Sequence, residues 1–257
     1  MLNIVIPMAG RGSRFQNAGY LVPKPLIPIF GKSMIELVVG NIRPREPHRF
    51  IFLVLEEHLK TYALGSALKR MAPGCEVISV AGVTEGAACT VLLAREFIDN
   101  ADPLMIANSD QWVDVRIDEY LSRLTPGGDG LIMTMRADDP KWSFVGVDSQ
   151  GFASEVVEKR VISNEATVGI YNFRHGRDFV NSAEQMIAKN LRVNNEFYVA
   201  PVYNEMIRDG KRILIHNIGK VEDRMYGLGT PEDLRKFIEL PIARVAAGAQ
   251  TGHIEVA

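Results

Sequence analysis

Four short apolar runs, Asn3–Met8, Arg49–Leu55, Glu76–Val80 and Leu104–Ala107, are separated by segments of helical pattern, and this alternation restricts the fold more than any other feature. The helical pattern falls on Ser33–Asn41, Glu56–Arg70 and Gly86–Phe97. Parallel strands need a long crossover between them, usually a helix, and a sheet covered by helices on both faces has strands that read as unbroken apolar runs. The first half is therefore expected to be a Rossmann-like α/β unit with a mostly parallel central sheet flanked by helices. The second half changes character. Strand-like segments at Gly130–Arg136, Phe144–Val147, Phe152–Val157 and Thr167–Phe173, with turns at Thr125–Gly128 and Asp148–Gly151, point to a mixed sheet. Helices over Gly176–Asn190 and Val202–Asp209 and a strand over Arg212–Asn217 follow. Thr230-Pro231-Glu232-Asp233 combines an N-cap oxygen, a proline at the first helical position and two acids at the positive end of the helix dipole, so a last helix starts there. One domain over 1–245 is expected, with halves of about 1–125 and 126–245 and a loosely held Ala/Gly-rich tail over 246–257.

With 257 residues, 47% of them hydrophobic, the chain can bury one large core without covalent staples. A formal charge of -2 argues against a nucleic-acid partner, which usually requires a clustered Lys/Arg excess. Cys75 and Cys89 are the only cysteines and carry no metal-ligand spacing, which fits a cytoplasmic setting and excludes a disulfide framework. No basic stretch precedes the apolar run at Leu2–Ile6, and no run approaches the ~20 residues of a membrane span, so neither a leader nor a membrane anchor is expected. Composition leaves self-association into a homo-oligomer open.

The segment after the first strand, Pro7-Met8-Ala9-Gly10-Arg11-Gly12-Ser13-Arg14-Phe15, carries the chemistry. Gly10 and Gly12 permit close backbone approach and positive φ, so several N–H groups can turn toward an anion. Two glycines alone more often mark a plain turn. The loop lacks the third glycine of the dinucleotide fingerprint and does not match a Walker A loop. Instead it carries Arg14, and Lys24 follows between Pro23 and Pro25, which restrict its backbone. An Arg and a Lys on one extended segment can grip a triphosphate and stabilise charge moving onto departing pyrophosphate.

These residues resemble the sugar-phosphate nucleotidyltransferase family, with its Gly-x-Gly-x-Arg loop (Gly10–Arg14) and Pro-Lys-Pro-Leu segment (Pro23–Leu26). The resemblance continues through Gly31-Lys32-Ser33-Met34-Ile35, Asn108-Ser109-Asp110, Glu158-Lys159, Val168-Gly169-Ile170-Tyr171 and Gly229-Thr230-Pro231-Glu232-Asp233-Leu234. It implies a Mg²⁺-dependent enzyme that joins a nucleoside triphosphate to a phosphorylated acceptor, a sugar 1-phosphate, releasing pyrophosphate, in surface polysaccharide biosynthesis. By the same resemblance Arg14, Lys24, Asp110 and Lys159 are catalytic, and Asp110, at the carboxyl end of a strand where open α/β sheets place ligands, holds the metal. Nucleotide contacts are implied for Ala9, Gly10, Arg11, Gly12, Ser13, Arg14, Thr84, Glu85, Gly86, Ala87, Asn108 and Ser109. Acceptor contacts are implied for Glu158, Lys159 and Gly169, with Glu196 added from the segment Asn194–Tyr198. Glu158-Lys159 also suits a strand with alternate charges facing solvent.

The pattern is broken at two points. Gly227 stands where the family places a second metal-binding acid, which leaves Asp223 or Glu222 as replacements or Mg²⁺ held by Asp110 and phosphates alone, with Asp114 as a further acid near Asp110. Arg160 replaces the proline that usually follows the lysine. Three alternatives stay open: a cytidylyltransferase acting on a non-sugar phosphate, a nucleotide-binding regulator without catalysis, and a glycosyltransferase of the same architecture.

Overall fold

In the computed structural model, which describes residues 1–248, strand β1 (Leu2–Met8) runs inside an 11-stranded sheet. Ile4, Ile6 and Met8 join one apolar layer with Ile35 and Val38, whereas Val5 joins a second layer with Val91 and Phe179. Because successive strand residues face opposite sides of a sheet, a strand apolar on both sides has to be covered twice. That requirement produces the α/β layering.

After β1 come α1 (Ser13–Asn17), a 3₁₀ turn at Lys24–Leu26, the two-residue strands β2 (Pro28–Ile29) and β3 (Lys32–Ser33), and α2 (Met34–Asn41), opened by a capping box between Ser33 and Glu36. Then follow β4 (His48–Leu55), α3 (Glu56–Thr61), α4 (Leu64–Met71), β5 (Glu76–Val80), α5 (Ala87–Leu92), α6 (Arg95–Ile98) and β6 (Leu104–Ala107). The order β5-β4-β1-β6 is parallel throughout, as expected. The helices expected over Glu56–Arg70 and Gly86–Phe97 are each split, at Tyr62–Ala63 and at Leu93–Ala94. On the far side of the breaks Leu64, Leu68 and Ile98 remain fully buried, so tertiary packing overrides helix propensity there.

The chain continues through β7 (Gln111–Val113), α7 (Ile117–Leu121), β8 (Gly130–Arg136), β9 (Ser143–Val147), β10 (Ala153–Glu158), β11 (Glu165–Phe173), α8 (Gly176–Ala188) and α9 (Tyr203–Arg208). It closes with β12 (Ile213–Val221), β13 (Arg224–Gly227), α10 (Pro231–Glu239) and α11 (Pro241–Ala246). The second half is mixed: β11 runs antiparallel to β6, β8 and β9, β12 runs parallel to β8, and β7 pairs antiparallel with β13. Of the tail expected over 246–257, Ala246 ends α11 and Ala247 is buried, and 249–257 lie outside the described residues.

A third, smaller apolar cluster contains Phe15, Ile27, Trp112, Leu228, Leu234 and Phe237. Phe15 follows Arg14, Ile27 closes the turn that begins at Lys24, Trp112 follows the Asp110 segment, and Leu234 follows Asp233. Side chains from these four separate stretches are thereby anchored by one packed unit. Packed neighbours lock the rotamers of the polar residues they adjoin.

Candidate active site

A cleft of about 330 Å³ lies beyond the carboxyl ends of β1 and β6 and is lined from both halves, by Arg14, Asn108 and Asp110 on one side and Ser143, Glu158, Lys159 and Tyr198 on the other. On the first side, Gly12 has φ 66 and begins α1. A Cβ on Gly12 would stand 3.3 Å from Cβ of Lys24, so the glycine loop rests directly on the lysine. Lys24 Nζ donates to Asp110 Oδ2 at 2.7 Å, with both side chains about three-quarters buried (22% and 26% exposed). Gly229 closes the stack from the far side, since its Cβ would come within 2.9 Å of the same Oδ2. Arg14 lies in the first turn of α1 and not on an extended segment as expected, because the left-handed Gly12 turns the chain straight into a helix.

On the second side the backbone explains an arrangement that strand geometry alone forbids. Adjacent strand residues face opposite sides, yet both Glu158 and Lys159 line the cleft. Lys159 has φ 55, its N–H donates to the Trp142 carbonyl at 3.0 Å, and Nζ donates to the Tyr198 hydroxyl at 2.7 Å. A left-handed lysine costs about 1–3 kcal/mol, which packing around it must offset. This kink defeats the solvent-facing alternation that the sequence also permitted.

Glu158 is 9% exposed and accepts a short hydrogen bond from Ser143 Oγ. Burial pushes its pKa up, opposed by that hydrogen bond and by Lys159. A carboxyl with a raised folded-state pKa contributes stability below the ordinary carboxylate range and loses it as pH rises through the raised value. Glu158→Gln, which stays neutral and keeps an acceptor for Ser143, is expected to gain thermal stability relative to the parent on going from mildly acidic to neutral buffer. A melting-temperature difference that does not change with pH would contradict this.

Gly169 sits in a register irregularity of β11 with φ 94, and a Cβ there would fall 2.3 Å from Asn108 Nδ2. Its carbonyl accepts from the Asn108 N–H at 2.9 Å and from Gln111 Nε2 at 3.2 Å. Gly169 thus fixes the Asn108 side of the cleft from behind. Gln111, which sequence reasoning missed, is the buried pin.

The loop Thr84–Ala87 leads into α5, and Gly86 has φ 132. Phe197 lies against it: the Phe197 N–H donates to the Glu85 carbonyl at 2.8 Å and the Ala88 N–H to the Phe197 carbonyl at 3.0 Å. Arg192 pairs with Glu85 at 2.5 Å, and Thr84 Oγ1 donates to the Gly86 carbonyl. Ala87 lines the cleft, whereas Glu196 is exposed and does not. Ala9 and Ser109 are buried, so they can offer backbone only, and Gly10, Arg11 and Ser13 form an exposed rim above α1. Tyr198 and Lys141 also line the cleft and were not singled out by the sequence.

None of the acids considered as replacements at position 227 enters the cleft. Glu222 and Asp223 form the tight turn between β12 and β13, and Asp114 lines a separate cavity with Arg116 and Arg224. Arg160 is exposed and also outside the cleft. Among the described residues, no three His, Cys, Asp or Glu side chains converge as a metal cage. That donor set fits Mg²⁺, which is typically held by one or two carboxylates and completes its shell from waters and substrate phosphates. Asp110, which lines the cleft, is a carboxylate that could serve in this way.

One cleft thus brings together Arg14 and Asp110, the latter paired with Lys24 beneath the glycine loop, and across from them Lys159 with the buried Glu158. The chain belongs to the nucleotidyl transferase family, whose model matches residues 4–211. It is 26% identical over 223 residues to the bifunctional protein GlmU of Burkholderia multivorans, covering 83% of this chain and 46% of that protein. It is 24% identical over 191 residues to the mannose-1-phosphate guanylyltransferase catalytic subunit beta of Dictyostelium discoideum, covering 67% of this chain and 49% of the subunit. The chain therefore spans about half the length of the curated relatives it matches. Among solved structures, a nucleoside-diphosphate-sugar pyrophosphorylase from Vibrio cholerae superposes with a TM-score of 0.78 at 24% identity, covering 92% of this chain and 100% of that one. The inositol-1-phosphate CTP transferase of T. maritima superposes at 0.69 and 15% identity, covering 97% and 96%. Both share the fold. No helix among the described residues is long and apolar enough to cross a membrane.

Proposed function

We propose that this chain is a Mg²⁺-dependent, cytoplasmic nucleotidyltransferase that couples a nucleoside triphosphate to a sugar 1-phosphate, giving a nucleoside-diphosphate sugar and pyrophosphate for surface polysaccharide synthesis. The observation that carries the reading is the meeting of Arg14, Asp110, Glu158 and Lys159 in one cleft. An oxygen of the acceptor phosphate forms a bond to the α-phosphorus as the bond from that phosphorus to the bridging oxygen of pyrophosphate breaks. No covalent nucleophile from the protein is needed, and catalysis rests on alignment and charge neutralisation. Lys159 holds the acceptor phosphate, Arg14 and Lys24 neutralise the departing pyrophosphate, and Asp110 binds Mg²⁺. The metal supplies charge to the phosphate oxygens it touches. Glu158, directly beside Lys159, favours a sugar over a hydroxyl-poor phosphate because a buried acid can pair with ring hydroxyls.

The test is pyrophosphate release with Mg²⁺ across CTP, UTP, GTP, ATP and dTTP, each against a panel of sugar 1-phosphates and phosphorylated alcohols. Release is expected for one triphosphate with a sugar 1-phosphate and is lost in Asp110→Ala. Release with a phosphorylated alcohol only would favour the cytidylyltransferase alternative; nucleotide binding with silence across the panel would favour a non-catalytic regulator.

A further inference from the structure

We propose that Asp233, from the first turn of α10, is the second carboxylate of the metal site, occupying the space left bare by Gly227. This inference rests on the nucleotidyltransferase reading and goes on to assign a ligand. The segment Gly227-Leu228-Gly229 crosses the edge of the cleft with two positions that carry no side chain, and each faces a different acid. A Cβ on Gly229 would meet Asp110 Oδ2 at 2.9 Å, and a Cβ on Gly227 would meet Asp233 Oδ2 at 3.8 Å. The bare strip therefore separates two carboxylates that line the same cleft, Asp110 from the end of β6 and Asp233 from α10. The side chain absent at 227 would project toward the place where the Asp233 carboxylate already lies.

Asp233 is half-buried, and among the described residues it makes no ion pair. Its Oδ2 accepts from Thr230 Oγ1 at 2.7 Å, and its N–H donates back to the same hydroxyl at 3.1 Å. That reciprocal pair holds the side chain against the helix start and leaves Oδ1 without a hydrogen-bond partner among the described residues. Leu234 and Leu228, the neighbours of Asp233 and of the glycines, are both packed in the third apolar cluster, so the strip and the helix start move as one unit. A second oxygen donor from a rigid helix start, opposite Asp110, supplies the one or two carboxylates that Mg²⁺ takes beside phosphate oxygens and water. A helix-capping role for Asp233 accounts for the Thr230 contacts, but it gives no reason for the carboxylate to line the cleft beside a bare strand.

The deciding measurement is Mn²⁺ binding to the full chain, read from the electron paramagnetic resonance signal of the free ion, with melting temperature recorded in parallel. Asp233→Asn, which keeps hydrogen-bonding atoms for Thr230, is expected to weaken Mn²⁺ binding by at least about tenfold, the scale lost when even an outer-shell partner of a metal site is removed. The second variant adds Gly227→Asp to Asp233→Asn. Position 227 has ordinary van der Waals room for a Cβ, so the acid is expected to restore Mn²⁺ binding to within about threefold of the parent (~0.7 kcal/mol) without restoring any stability lost from the helix cap. Binding by Asp233→Asn equal to the parent, while Asp110→Asn loses it, would overturn the assignment and leave the proposed function standing. Parent protein with no saturable Mn²⁺ site, or a double variant that recovers stability but not Mn²⁺, would overturn it as well.

Discussion

Arg14→Ala is expected to lower turnover by at least ~10²-fold, the loss measured when one preorganised donor to a developing charge is removed. The guanidinium lines the cleft from α1, and Phe15, the next residue, is 1% exposed in the third apolar cluster. Alanine therefore removes an exposed guanidinium from the cleft lining without disturbing the anchor. Lys24, which pairs with Asp110 at 2.7 Å, supplies a separate charge from another segment and does not duplicate the guanidinium. Arg14→Lys is expected to recover only part of the rate, since one point charge replaces a planar fork of donors. Steady-state pyrophosphate release on the substrate pair found by the panel is the measurement; turnover within threefold of the parent (~0.7 kcal/mol) would remove Arg14 from the chemistry.

The largest structural effect is expected at Gly86. A Cβ there would lie 2.4 Å from the Phe197 carbonyl oxygen and 2.5 Å from its nitrogen, both backbone atoms that cannot rotate away. The φ of 132 is closed to alanine without strain. Gly86→Ala must therefore displace the Phe197 segment, breaking its hydrogen bonds to Glu85 and Ala88 and carrying Tyr198 away from Lys159. Strain and overpacking together are expected to cost about 3 kcal/mol, a melting temperature lower by roughly 10 °C, with a raised KM for the acceptor. Gly10→Ala is the control, because a Cβ at Gly10 meets nothing within 4 Å; its stability should stay within about 0.5 kcal/mol. Equal melting temperatures for the two variants would mean that the Phe197 segment is not pinned by Gly86.

The strands of the parallel block were legible because each is an apolar run bounded by turn residues, and β8 to β11 were legible from runs of branched and aromatic residues. The strands β7 and β13 were not. With three and four residues, they are too short to show a period, and their pairing with each other and of β13 with β12 defines them. The breaks at Tyr62–Ala63 and Leu93–Ala94 carry no glycine or proline, so no local signal marks them. The expected strand over Arg212–Asn217 runs on to Val221 for a related reason: β12 follows its neighbour β8 as far as Arg136. Within the site, the glycine loop, Lys24 between prolines and Asp110 after a strand could be read from residue type and spacing. The left-handed backbone of Lys159 could not, since lysine gives no sign of it. Nor could the contact from Lys159 to Tyr198, which joins residues 39 apart in sequence. Asp233 was visible, but its place in Thr-Pro-Glu-Asp reads first as helix capping, and only the bare Gly227 opposite it gives the carboxylate a second meaning.

The antiparallel seam of β6 and β11, with Ala107 opposite Ile170 and Leu104 opposite Phe173, makes the sheet a ruler. Asn108 and Asp110 follow directly from one strand of the seam, and Gly169 belongs to the other, so this side of the cleft is held at the strand spacing of ~4.8 Å. Rotating one half against the other would tear that ladder. The width of that side of the cleft is thus fixed when the chain folds and does not wait for anything to bind.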